Sequence, residues 1–223
     1  YVCEDAWGTH ADVVDAARRA TRWVHPVTAE VSAALSRDSQ GVCAVASADA
    51  VSRELPEPSV GETLVVLAQG RDPGNVGTII RTADAFGAVG VITVSGTVEA
   101  TSPKVVRASA GSVFHIPVCV VSSFEEAHAL IHRRSAALLG TSGGVGSLDL
   151  SQMLVQGVSG RSRLSQSHAW VFGNEAKGLS GAEMRLCDAL VSIPMTGDAE
   201  SLNVASAATA CLFASQTVRG MTL

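Results

Sequence analysis

Leu64-Val65-Val66-Leu67 is an unbroken apolar run that Gly70 to Gly74 turn into Asn75-Val76-Gly77-Thr78-Ile79-Ile80-Arg81. A run with no polar alternation belongs to a parallel strand covered on both faces. The residues after it change period: Ile79, Ile80, Ala83 and Phe86 form one apolar stripe, which predicts a helix over about 76–86 with Arg81 toward its open side. Strand, glycine turn and helix together place the start of that helix at a strand's carboxyl end, where open α/β sheets bind ligands. Gly74 and Gly77 are read as letting backbone approach a ligand, and the free N–H groups near Asn75 as aimed at an anion.

The same alternation continues outward. Strands are expected at 89–94, 116–120, 136–140, 169–172 and 190–193, and helices at 104–110, 123–133 and 203–219, with Ser123 capping the second of these. The polar, irregular stretch 157–167 reads as a mobile loop. Such an order implies an α/β parallel sheet with helices on both faces. Ahead of it, residues 12–22 and 28–35 read as helices, the latter capped by Thr28, and 42–46 as a short buried strand. Leu55-Pro56-Glu57-Pro58-Ser59-Val60-Gly61 reads as a linker, which puts the domains at 1–58 and 59–223. Tyr1-Val2-Cys3 looks like the middle of a strand, so an N-terminal portion is expected ahead of it.

Bulk properties narrow the class. The 223 residues are 47% hydrophobic and 17% charged, enough for a full core. No stretch approaches the ~20 apolar residues of a membrane span, and the start lacks the pattern of a secretory signal, so a cytoplasmic protein is expected. The cysteines at 3, 43, 119, 187 and 211 are scattered, which favours neither disulfides nor a zinc site. The net charge of −5 is concentrated in residues 1–60, with nine acidic and five basic side chains against twelve and eleven beyond. Arg71, Arg81, Lys104 and Arg107 leave room for a local basic face. Neither Gly-x-Gly-x-x-Gly nor a Walker loop occurs.

Two further segments leave strands as the first one does. Gly173-Asn174-Glu175-Ala176-Lys177-Gly178-Leu179-Ser180 follows Trp170-Val171-Phe172, and Ile193-Pro194-Met195-Thr196-Gly197 runs on to Ser201-Leu202-Asn203 at the head of an apolar helix. Glu175 can pair with Arg81, accept hydrogen bonds from a substrate, or cap the short helix after Gly178. His128 and His132 sit four apart on an exposed helix face without a third ligand, so no metal is expected. Trp7 and Trp23 can stack bases but are read first as packing in the small domain, and the arginine pairs 133/134 and 161/163 as a solvated face ahead of an RNA contact.

These three segments, in this order, resemble the motifs of the SpoU (TrmH) family of RNA ribose 2′-O-methyltransferases, within the SPOUT class. Residues 63–219 carry the resemblance; Pro103 to Gly111 is similar to the form in ribosomal-RNA members, and residues 1–50 more distantly resemble half of an L30e-like RNA-binding domain. The resemblance implies a SPOUT-type sheet with a C-terminal deep trefoil knot, a homodimer, S-adenosylmethionine as methyl donor, and RNA as substrate, 23S ribosomal RNA ahead of tRNA. A member that has lost activity and only binds RNA is the competing class. The cofactor is expected at Thr141, Ser142, Gly143, Gly173, Asn174, Gly178, Ile193, Met195 and Leu202. Arg81, Glu175, Ser201 and Asn203 are expected at the reacting end, and Asn75, Arg81, Lys104 and Arg107 on the RNA. Arg81 is left as either general base or phosphate clamp, a guanidinium being a poor proton acceptor.

Overall fold

The structure, a computed structural model, describes residues 1–157 and 159–222. It divides into two compact units, Tyr1–Ala48 and Asp49–Leu223. In the small unit, strands β1 (Val2–Cys3) and β2 (Pro26–Val27) pair in parallel beside helices α1 (Ala11–Ala20) and α2 (Ala29–Leu35). Thr28 caps α2 as expected, its hydroxyl accepting from the Val31 N–H at 3.4 Å. The strand expected at 42–46 does not form. Val42 makes one antiparallel bridge to Val2, and Val45 is 76% exposed, because no partner extends the pairing. Trp23 is not packed inside either: it is 65% exposed, with the Arg22 guanidinium 4.9 Å from its ring centroid.

The large unit carries β3 (Thr63–Leu67), α3 (Pro73–Ala85), β4 (Gly90–Val94), α4 (Pro103–Ala108), β5 (Val118–Val121), α5 (Phe124–Arg133), β6 (Ala137–Thr141), β7 (Leu148–Asp149), α6 (Leu150–Gly157), β8 (His168–Phe172), α7 (Gly181–Leu186), β9 (Ala189–Ser192) and α8 (Val204–Thr222). Among the described residues seven strands form one sheet in the order β5-β4-β3-β8-β6-β9-β7. Each of its pairings is parallel. β3, β4 and β8 are buried along their whole length, which is why they read as continuous apolar runs. Fully buried Trp170, Phe172, Ile79, Ile80 and Leu212 fill the face beneath α3 and α8, while Leu64, Ile92, Ile131 and Leu138 fill the other beneath α5.

Several expectations change on contact with this packing. The stretch 55–61 is not a free linker. The Arg134 Nη1 donates to the Pro56 carbonyl at 2.8 Å and the Val118 N–H to that of Ser52 at 2.8 Å, so the large unit starts ahead of the boundary expected at 58/59. Arg134 is correspondingly not surface decoration. Its guanidinium forks onto the carboxylate of Glu62, itself 2% exposed, with contacts of 2.7 and 2.8 Å. Burial alone would raise the Glu62 pKa, but hydrogen bonds from Arg134 and Ser59 and the guanidinium charge outweigh it and hold the carboxyl below its usual range. The 157–167 stretch, of which Val158 lies outside the described residues, is tied down by buried Ser162 and Leu164. Gly77 is turned to α4. A Cβ there would meet the Ala108 Cβ at 2.5 Å and the Val105 carbonyl at 2.7 Å, so the missing side chain is what lets α3 and α4 touch. Gly74 likewise sits against the Asp72 carboxylate, at 2.9 Å from its would-be Cβ.

A buried polar network spans β8 and α8. The Trp170 Nε1 donates to the Ser215 hydroxyl at 2.8 Å, the His168 Nδ1–H to the Gln166 carbonyl at 2.7 Å, and the His168 Nε2 lies 2.7 Å from the same hydroxyl. Burial, first, and the Arg219 charge push the imidazole pKa down to about 4 against one favourable contact from Gln166, so His168 folds neutral and its Nε2 accepts a hydrogen bond from the Ser215 hydroxyl.

Two outcomes follow from these buried groups. Replacing Arg134 with Leu strands the Glu62 carboxylate and should cost about 3–5 kcal/mol, read as a lower urea midpoint at unchanged m. Because the unfolded imidazole titrates near 6.5 and the folded one near 4, the unfolded chain binds more protons between those values. Stability from His168 is therefore complete above pH 6.5 and falls by about 3 kcal/mol as pH drops toward 4; a His168→Gln variant should show that much less pH dependence in urea titrations over the window.

Candidate active site

Parallel pairing sends β6, β8 and β9 to the same edge, and the loops leaving them enclose a cleft of about 480 Å³. β6 contributes Thr141, Ser142 and Gly143; β8 contributes Gly173, Asn174, Glu175 and Gly178; β9 contributes Ile193, Met195, Ser201 and Leu202. All of the residues expected to hold the cofactor thus line one cavity.

The middle loop is the most tightly specified. Asn174 and Gly178 exchange backbone hydrogen bonds of 3.0 and 2.8 Å, and the Asn174 side-chain oxygen accepts from the Ala176 and Lys177 N–H groups at 3.0 and 3.2 Å. Gly178 takes φ +65° to close the turn. The returning chain passes so near Gly173 that a Cβ there would lie 2.3 Å from the Gly178 carbonyl carbon. Asn174 therefore shapes the loop with its side chain. On the neighbouring strands the Thr141 hydroxyl donates to the Val171 carbonyl at 2.9 Å, and the Ser142 N–H to that of Val191 at 3.0 Å.

Side chains of the three motifs are joined through the start of α3. Asp72 caps that helix, accepting from the Asn75 N–H at 2.8 Å, and its own N–H donates to the Glu175 carboxylate at 3.2 Å. Asn75 accepts from the Asn203 Nδ2 at 3.0 Å, and the Asn203 oxygen caps α8 through the Ala205 N–H at 2.8 Å and the Ser206 N–H at 3.3 Å. Glu175 thus neither pairs with Arg81 nor caps the helix after Gly178, which Ser180 caps in a box with Glu183. Asn203 is exposed at the head of α8, and its contact to Asn75 links that helix to the start of α3.

Arg81 is exposed on α3, six residues beyond Asn75 and so about 9 Å along the axis, outside the cleft walls of its own chain. Lys104 and Arg107 are exposed on α4, the helix that Gly77 brings against α3. His132 engages Asp188, Nε2 to Oδ2 at 3.4 Å, rather than a site of its own.

Sequence reasoning missed Asp72, Glu200, Lys177 and Met184, of which the last three also line the cleft. Asp72-Pro73 carried a legible signal, an N-cap followed by proline in the first helical turn. The others sit at loop positions with no periodicity to mark them. Glu175 and Glu200 give the cleft carboxylates suited to a cationic guest, and Leu179, Ile193, Leu202 and Val204 give it apolar walls. Leu202 and Met195 are 43% and 44% exposed, an open apolar lip.

The chain is 42% identical over 146 residues to a 23S rRNA (uridine(2479)-2′-O)-methyltransferase of Streptomyces viridochromogenes, covering 63% of this chain and 47% of that protein. It is 34% identical over 208 residues to the 23S rRNA (guanosine-2′-O-)-methyltransferase RlmB of Bordetella pertussis, covering 91% of this chain and 81% of that one. The chain thus spans about half of the first relative and most of the second. Among solved structures, an AdoMet-bound rRNA methyltransferase from Sinorhizobium meliloti superposes with a TM-score of 0.68 at 30% identity, over 96% of this chain and 78% of that one. Residues 62–213, which hold the sheet and all three motif loops, match the SpoU rRNA Methylase family, and the chain belongs to that family.

Proposed function

We propose that the chain transfers a methyl group from S-adenosylmethionine to a ribose 2′-hydroxyl of 23S ribosomal RNA. The observation that carries this reading is the convergence of the β6, β8 and β9 loops on one cleft. When bound, S-adenosylmethionine supplies an electrophilic methyl on a positively charged sulfur. The residues present fit it: apolar Leu179, Ile193 and Leu202 can enclose an adenine ring, Glu175 and Glu200 oppose positive charge, and the rigid Gly173–Gly178 turn offers backbone polar groups without reorganisation. Arg81, Lys104 and Arg107 supply cations to the RNA backbone from two packed helices. Arg81 acts there as a phosphate clamp and stabiliser of the forming alkoxide, or as the base.

The chain works as a homodimer in this reading. Exposure of Arg81 outside its own cleft supports an active site completed by a second copy. So does Phe213, 53% exposed on α8 and edge-on to Phe86 at 6.0 Å. β9 follows β6 and β7 in the chain yet lies between them, which supports a C-terminal stretch threaded as a deep trefoil knot. The small unit, with its parallel strand pair and two helices, is read as part of an L30e-like RNA-binding domain, and the location as cytoplasmic; none of the helices described is long and apolar enough to cross a membrane.

Incubation with labelled S-adenosylmethionine and 23S rRNA or tRNA tests the reading. Label should enter ribose of the 23S species; calorimetric binding of S-adenosylmethionine without transfer to either RNA would favour the inactive RNA-binding class. Gly173→Ala should weaken S-adenosylmethionine binding about tenfold or more, because the Cβ forces the turn open. Arg81→Lys should lower kcat by about 10²-fold with S-adenosylmethionine affinity unchanged, and a shifted pH–rate profile would separate base from clamp. Asn203→Ser keeps the α8 cap but loses the contact to Asn75, so a fall in kcat without a fall in melting temperature is expected.

A further inference from the structure

A second cavity, of about 180 Å³, opens at the carboxyl ends of β4 and β5, away from the cleft. Thr93 and Val120, partners in register, line it, and the same row runs through Leu67 to Phe172, which lines the cleft. Thr93 and Phe172 are two strands apart, roughly 10 Å. The two cavities thus share one row of the sheet, close enough together for a single RNA to reach both.

The chemistry of the cavity selects what it can hold. Val98, Val118 and Val120 give it apolar walls. Its hydroxyls are engaged internally: Thr93 donates to the Cys119 carbonyl at 3.4 Å, Ser95 to that of Val121 at 3.2 Å, and Thr97 accepts from the Gly70 N–H at 3.2 Å. Recognition falls to two exposed charges of opposite sign, Arg53 from the segment ahead of β3 and Glu99 from the loop after β4, whose carboxylate accepts from the Thr101 hydroxyl at 3.4 Å. A carboxylate beside a guanidinium takes N–H donors as well as acceptors and repels phosphate, so the pair suits a base edge better than the RNA backbone.

We propose that this cavity is a subsite for a guanine base on a nucleotide flanking the methylated one; this rests on the RNA methyl-transfer reading for its context but not for its test. Guanine alone among the four bases offers adjacent N1–H and 2-amino donors to both oxygens of one carboxylate, and N7 and O6 acceptors to one guanidinium. Glu99 takes the first edge and Arg53 the second, while the valines cover the ring faces.

Calorimetric titration of the chain with guanosine, inosine and adenosine 5′-monophosphates, with and without saturating S-adenosylmethionine, tests this. Guanosine monophosphate should bind in both conditions. Inosine monophosphate, which lacks the 2-amino group, should bind about fivefold weaker or worse, and adenosine monophosphate about tenfold weaker or worse. Glu99→Gln should weaken guanosine monophosphate about fivefold or more and leave S-adenosylmethionine binding as it was. Displacement of guanosine monophosphate by S-adenosylmethionine, equal affinity for the three nucleotides, unaltered binding in Glu99→Gln, or no nucleotide binding at all would each overturn the proposal. A chain that shows the guanine preference yet binds no S-adenosylmethionine would keep the subsite and remove the methyl-transfer reading.

Discussion

Parallel pairing is the constraint on which the rest of the molecule depends. Since each pairing in the large sheet runs the same way, each strand delivers the chain to a common edge, and both cavities open there. The sheet can be all parallel only because both faces are covered, by α3 and α8 on one side and α5 on the other. The burial of β3, β4 and β8 is thus the condition for a binding edge, not merely a source of stability.

Edge loops by themselves would be loose. Here the Glu175–Asp72–Asn75–Asn203 chain of hydrogen bonds ties the loop after β8 to the starts of α3 and α8 across more than a hundred residues of sequence. Two of its members are helix caps, so the groups that position the cleft also satisfy the open ends of the helices. Shape comes from backbone: Gly173 and Gly178 set the turn and Gly77 sets the distance between α3 and α4.

Elements defined by their own periodicity were legible. The strands at 63–67, 90–94 and 168–172 and the helices capped by Thr28 and Ser123 announce themselves through apolar period and cap residues. Features made by distant partners were not. Arg133-Arg134 looks like surface until Glu62, 72 residues from Arg134, comes under it. Val42 to Ala46 has a strand's composition, but only Val42 and Cys43 find partners, in Val2 and Tyr1. The expected cofactor residues of the cleft were found through motifs, Lys177, Met184 and Glu200 were not, and the roles of Gly77 and Asn203 became visible only once α4 and α3 lay against them. β7 and α6 were missed because Leu148-Asp149-Leu150 gives too short a signal for either period.

The place of β9 bears on how the protein is made. A ribosome releases β6 and β7 well before β9, yet these two strands flank it in the finished sheet and neither pairs with the other. The place beside β6 can be filled only after some forty further residues have followed β7 out, at about 5–20 residues per second. The wall of the cleft built by the loop after β9 is the last to close, so partly synthesised chains should lack a complete cleft and give chaperones an exposed β6 edge to grip.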